Sequence, residues 1–162
     1  MPLLDTYNGF MGALSAGRMD EVAKFVDPDA LIETCVGLTG WTQGLDVALT
    51  NFRYGIGSAF AGLHLDVRDI VATDDALVIR GRVSAAHVGR FLGVEPTGRR
   101  VEWDMIDMVK PGPDGRIAWR FQLCDWEGVH RQLLGEPVPP ETIVRYSLLA
   151  PAGHPLAAPE RT

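Results

Sequence analysis

Two side chains in this sequence stand where an ionisable group must be partnered or put to work. His87 closes the alternating run Leu77, Ile79, Gly81, Val83, Ala85, and Asp125 closes Ile117, Trp119, Phe121, Leu123. Each run reads as the apolar face of a strand, where an unpartnered charge is costly to desolvate. A carboxyl in such surroundings has its pKa raised, so it can take and return a proton near neutral pH. Asp125 is therefore the candidate acid/base. It also stands directly before Trp126-Glu127-Gly128, where an aspartate can serve as a helix N-cap. His87 is the candidate for hydrogen-bonding a substrate carbonyl or for orienting the carboxylate. Asp104 is a possible second carboxylate. Asp107 falls on the opposite face of the same strand, with Trp103, Met105 and Val109, and reads as structural.

The elements that must position these groups follow from period. Leu3, Leu4, Tyr7, Phe10, Met11 and Leu14 recur at helical spacing, and Asp20 to Phe25 supplies a short second helix. Ala30 to Cys35 reads as a first strand, and Gln43 to about Phe60 as a longer helix weakened by Gly55 and Gly57. The period then shifts to two, with strands from Leu63 to Arg68, Ala76 to His87, Val101 to Lys110 and Arg116 to Asp125. Trp126 to Leu134 forms a closing helix. Helices followed by a meander of long strands define an α+β architecture. Residues 1–135 form one domain, and 136–162 a proline-rich extension in which Glu141 to Leu149 can form a helix. Trp41, Phe52, Phe60, Tyr54, Trp103, Met105, Trp119 and Phe121 are the candidates to line or roof a central pocket, although core packing explains each equally well.

Composition narrows the function classes. A chain of 162 residues with 46% apolar and 22% charged residues suits one globular domain. A net charge of −6, with the arginines scattered, argues against a nucleic-acid binder. Cys35 and Cys124 are too few for a disulfide framework or a structural zinc site and read as small buried hydrophobes, Cys124 outside the cavity. No apolar run approaches the roughly 18 residues that a membrane helix needs. The N-terminus lacks a basic segment and an apolar core, so a cytoplasmic location is expected. Phosphate-loop, HExxH, CxxC and nucleophile-elbow motifs are missing, so neither metal nor cofactor is expected. Chemistry would come from proton transfer and from holding one substrate in a folded shape.

The string Asp75…Arg80…His87-x-Gly89-x-Phe91-x-Gly93-x-x-Pro96-Thr97-Gly98 carries a further signal. It continues through Ile106-Asp107, Asp114-Gly115-Arg116-Ile117 and Asp125 to Gln132-Leu133-Leu134-Gly135. In these motifs and in element order the chain resembles the SnoaL-like polyketide cyclases of the nuclear-transport-factor-2-like superfamily. The resemblance implies a cone-shaped, mostly antiparallel curved sheet whose N-terminal helices enclose an apolar pocket, an α+β barrel. It matches Asp125 to the family's acid/base aspartate. It puts Glu33 or Thr34 where members often hold a pocket histidine or asparagine. Departures at Ala85-Ala86, Glu95 and Phe121 imply a pocket recut for another substrate.

The activity so implied is a cofactor-independent intramolecular aldol closure of a polyketide-like, apolar polycyclic substrate. Asp125 would move the proton and His87 would stabilise the oxyanion. Glu33, Trp41, Phe52, Trp103, Asp104, Trp119 and Phe121 would bind the substrate. Epoxide opening in the same pocket, by an acid–arginine–acid arrangement, is the alternative enzyme, and a non-catalytic small-molecule carrier the alternative of another class. An outer sheet face mixing Val78, Ala86 and Ala118 with Arg80, Arg82, Arg120 and Gln122 is expected to pair two copies into a homodimer, over which Ile143, Val144, Tyr146 and Leu148 would anchor the tail.

Overall fold

A computed structural model describes residues 2–137, so the expected tail helix and its anchors lie outside the described residues. The chain opens with helix α1 (Pro2–Ser15) and a 3₁₀ turn (Met19–Lys24), followed by strands β1 (Ile32–Val36) and β2 (Thr42–Gln43). Helices α2 (Leu45–Tyr54) and α3 (Ile56–Ala59) come next. The long strands β3 (Phe60–Ala72), β4 (Leu77–His87), β5 (Arg100–Pro111) and β6 (Ile117–Cys124) then lead into helix α4 (Trp126–Leu133). Among the described residues no helix is long and apolar enough to cross a membrane.

The strands make one six-stranded sheet in the order β2-β1-β6-β5-β4-β3. All neighbours are antiparallel except β1 and β6, which run parallel with Ile32 opposite Trp119 and Val36 opposite Leu123. The first strand is thus paired with the last, and the α+β expectation holds as a mixed, curled sheet under N-terminal helices. On α1 the helical spacing buries Tyr7, Phe10, Ala13 and Leu14 against the sheet. On β4 a period of two buries Leu77, Ile79, Val83, Ala85 and His87 on the concave face, while Ser84 is buried on the other.

Two elements depart from expectation. The helix read from Gln43 to Phe60 is broken: Gly55, at φ −98° and ψ −100°, leaves helical geometry and separates α2 from α3. The strand read from Leu63 is longer, beginning at Phe60. It forms the sheet edge and carries two register shifts, at Ala61/His64 and Val67/Asp69, with Asp66, Arg68 and Asp69 turned to solvent. Bulges and charges on an exposed edge discourage strand addition by another chain.

The third departure decides the site. Pro111 on β5 faces Ile117, but the next residue back, Lys110, faces Trp119, so Ala118 is an extra residue on β6. This bulge flips the strand's parity. Ile117 points inward and is fully buried, yet beyond it Arg120, Gln122 and Cys124 take the concave face. Trp119, Phe121 and Leu123 turn outward. Simple alternation from Ile117, which put the aromatic residues and Asp125 inside, fails at this one residue.

Candidate active site

Between the helices and the concave sheet lies a cavity of about 360 Å³. Phe10 and Leu14 of α1, Ala48 and Phe52 of α2, and Ile56 of α3 cover it with apolar surface. Its sheet wall is different in kind, with Glu33 and Cys35 from β1 beside Arg120 and Gln122 from β6. Glu33 and Arg120 are direct cross-strand partners in the parallel pair, so they share a face. A smaller cavity of about 80 Å³, lined by Trp103, Met105 and Cys124, shares Phe52, Ile56, Arg120 and Gln122 with the larger one.

Arg120 organises the wall. Its Nε donates to both oxygens of Asp107, at 3.0 and 3.1 Å, and its Nη2 donates to Oδ2 at 2.8 Å. Asp107 is fully buried and also accepts the Tyr7 hydroxyl at 3.1 Å. The remaining Nη1 lies 3.4 Å from Glu33 Oε2. Arg120 also sits over the Phe10 ring, 5.2 Å from its centroid. Burial opposes the guanidinium charge, but the carboxylates of Asp107 and Glu33 more than offset it and raise the pKa, so Arg120 stays protonated. Burial, and then the Asp107 charge, push the Tyr7 hydroxyl pKa up, which keeps it a neutral donor.

The division of labour follows from geometry. Asp107 takes the bidentate fork of the guanidinium and is shut away from the cavity. Glu33 meets only its outer nitrogen and, among the described lining residues, is the carboxylate that reaches the cavity. Gln122 donates from Nε2 to the Met105 sulfur at 3.2 Å, which steadies its amide against the same wall. An apolar chamber with one carboxylate, one fixed cation and one amide side by side can move a proton and stabilise a nearby oxyanion.

The residues singled out in the sequence are distributed unevenly about this chamber. Glu33 and Phe52 line the larger cavity and Trp103 the smaller. Trp41, Trp119 and Phe121 are together, but on the convex face: Trp119 and Phe121 stack with centroids 6.3 Å apart, and Trp41 packs on both. Asp104 is exposed on that same face, 3.6 Å from Arg82. Asp125 is exposed and caps α4, accepting the Gly128 N–H at 2.8 Å, so the capping alternative describes its geometry.

His87 does face inward, but it is sealed and lines neither cavity. Its Nδ1 accepts the Thr97 N–H at 3.2 Å and lies 3.0 Å from the Thr97 hydroxyl, and its ring packs on Phe60. A backbone N–H can only donate, so Nδ1 is the accepting nitrogen and the ring N–H is Nε2, which has no partner among the described residues. His87 thus ties the loop after β4 back to the strand. Cys124, expected outside the cavity, is buried on the concave side. Arg120, Gln122 and Tyr7 were not singled out as site residues. The available signal was Asp107 among apolar strand-mates, since a carboxylate there requires a cation or donors facing it.

Comparison with known proteins adds a name to this arrangement. The model for the SnoaL-like polyketide cyclase family matches residues 4–133. The chain is 29% identical over 145 residues to aklanonic acid methyl ester cyclase DauD of Streptomyces sp. (strain C5), covering 85% of this chain and 84% of that protein. It is 28% identical over 137 residues to nogalonic acid methyl ester cyclase of Streptomyces nogalater, covering 80% and 94%. Among solved structures, IdmH of Streptomyces antibioticus superposes with a TM-score of 0.70 at 26% identity, over 83% of this chain and 99% of that one. With the family model spanning the helical cover, the sheet and the wall that carries Glu33 and Arg120, the chain belongs to the SnoaL-like polyketide cyclase family.

Proposed function

We propose that this enzyme closes a ring in a polyketide ester by intramolecular aldol addition, with Glu33 as the proton-transfer group and no cofactor. The carrying observation is the pairing of Glu33 with Arg120 on the wall of an otherwise apolar cavity. Glu33 removes a proton alpha to a carbonyl. The resulting carbanion attacks a ketone or aldehyde in the same molecule, a carbon–carbon bond forms, and the new alkoxide takes the proton back. Arg120 and Gln122 supply the donors toward which negative charge develops. The apolar cover contributes by holding a flexible chain in the reactive fold, a gain that can reach about 7–11 kcal/mol for well-oriented groups. The names of the relatives, methyl ester cyclases of aklanonic and nogalonic acid, support a substrate of this class.

One observation favours a second reading. Glu33 beside Arg120, which Asp107 holds from behind, also suits the opening of an epoxide, with Glu33 activating water and Arg120 receiving the charge that develops on the epoxide oxygen. The same assay separates the two. The purified chain, given an aromatic polyketide methyl ester, is expected to return a ring-closed isomer of unchanged mass. Recovery of unchanged ester, together with oxygen-18 from water in a diol made from an epoxide, would replace ring closure with hydrolysis. Asp125→Asn serves in the same experiment, because asparagine caps a helix as well as aspartate does. It is expected to keep both fold and rate, and a collapse in rate with the fold intact would return the acid/base role to Asp125.

We further infer a homodimer built on the convex face of the sheet. Arg120 and Gln122 leave that face and Trp119, Phe121 and Leu123 join it, which makes it more apolar than alternation from Ile117 implies. Trp41 at 56%, Leu123 at 43%, Ile32 at 41% and Ile106 at 38% exposure are large apolar residues in one region of the surface. Light scattering at micromolar concentration is expected to give twice the mass of one chain, and the mass of a single chain would refute the pairing.

A further inference from the structure

Two thiols meet where the larger and smaller cavities join. Cys35 lies opposite Gln122 in the parallel pair of β1 and β6, and Cys124 lies two residues further along β6 on the same concave face. Cys35 opens to the larger cavity, whereas Cys124 is buried beside the smaller one. The surroundings of Cys35 favour its ionised form. The neighbouring Cys124 thiol holds its pKa below the ordinary thiol range. Burial opposes this, and the Arg120 charge and the Trp126 indole favour it, while the Glu33 charge opposes it. The Cys124 thiol moves the other way, raised by the neighbouring Cys35 thiol and by burial. Trp126, which lines the smaller cavity, keeps its buried indole N–H without a hydrogen-bond partner among the described residues.

We propose that Cys35 and Cys124 form a thiol-pair site that captures an apolar ligand bearing a conjugated carbonyl, through a reversible carbon–sulfur bond to Cys35. The ligand class follows from the neighbours. A thiolate adds to carbon only where the developing charge can be received. Arg120 and Gln122, on the same wall, are the donors for the resulting enolate oxygen. The surrounding Phe52, Ile56 and Leu38 favour an apolar body. The step balances without oxidant or reductant. The Cys35 sulfur forms a bond to the β-carbon, the double-bond pair moves to the carbonyl oxygen, and the proton given up by the thiol returns to the α-carbon. Reversal expels the thiolate. The site rests on the reading of this cavity as the ligand chamber but not on the ring-closing step.

The test uses the full chain, N-phenylmaleimide as an apolar conjugated probe, and iodoacetamide as a small probe that needs no carbonyl acceptor. At pH 7 the maleimide is expected to add once per chain, at Cys35 and not at Cys124, as located by peptide mass mapping. Cys124→Ala, checked for fold by circular dichroism, is expected to slow that addition about tenfold by removing the thiol that stabilises the thiolate. Glu33→Gln is expected to lose ring closure yet label at Cys35 at least as fast, since the charge opposing the thiolate is gone. Failure of that variant to lose ring closure would sink the cyclase mechanism while leaving the thiol site standing. Labelling of Cys124 first, or no reaction at Cys35 with either probe, would overturn the site. Reaction with iodoacetamide but not with the maleimide would overturn the ligand class.

Discussion

Replacing Glu33 with glutamine is expected to slow ring closure by about 10²–10⁴-fold, the usual contribution of a positioned acid/base group. The substitution keeps the side chain's size and leaves an oxygen that can still accept from Arg120 Nη1, now 3.4 Å from Glu33 Oε2. It removes the ability to hold a proton between abstraction and return. Substrate affinity should change little, because the apolar cover supplies most of the contact surface, so the effect belongs in kcat rather than KM. Steady-state kinetics on the ester substrate, with the fold followed by circular dichroism, reads both quantities. A variant within a few-fold of the parent rate would remove Glu33 from the mechanism.

Arg120→Met is expected to cost about 3–5 kcal/mol of folding stability, the range seen when one member of a buried ion pair is deleted. The reason is the partner left behind. Asp107 is fully buried, and without the guanidinium only the Tyr7 hydroxyl remains of the side-chain donors it now uses. Urea unfolding measures the loss through the midpoint. A second variant separates charge from packing: in Asp107→Asn/Arg120→Met the stranded charge is gone, and a substantial part of the stability should return. A cost below about 1 kcal/mol for the single variant would mean that Asp107 finds water or another donor when the cation leaves.

The split between what the sequence revealed and what it hid has a physical basis. On β4 and β5 the pairing runs without a register shift, so the inward parity from Leu77 to His87 is legible by inspection, and the same parity on β5 marks Trp103, Met105, Asp107 and Val109 as inward. Phe52 was within reach because it lies on a helix whose inner face survives small boundary errors, whereas on β1 the family resemblance left Glu33 and Thr34 open on opposite faces, and it is Glu33 that lines the cavity. The face of β6 was not legible, because a single extra residue, Ala118, reverses it, and a bulge leaves no mark in composition. Hydrophobicity then misled. Trp119 and Phe121 are the largest apolar residues on the strand, but they stack outside with Trp41, while Arg120 and Gln122 go inside. The break at Gly55 was foreshadowed by glycine's poor helix propensity, though not its position. Family resemblance supplied the fold and the cyclase class, and the chemistry proposed above is placed on Glu33 and Arg120 because they line the cavity, while Asp125 caps α4 at the surface.

The parallel pairing of β1 with β6 also sets when the enzyme becomes competent during folding. Glu33 and Arg120 are 87 residues apart in the chain and meet only when the first strand of the sheet docks on the last. The antiparallel neighbours β3, β4, β5 and β6 are consecutive and can zip together locally, whereas this pairing must close a long loop first. On a ribosome β1 emerges early and waits, with its hydrogen-bonding edge unpaired, until nearly the whole domain has been synthesised. A nascent or truncated chain that stops before β6 therefore holds half of each partnership and no chamber wall. Activity should arise in one step with the final strand, making catalysis itself a reporter of this long-range contact.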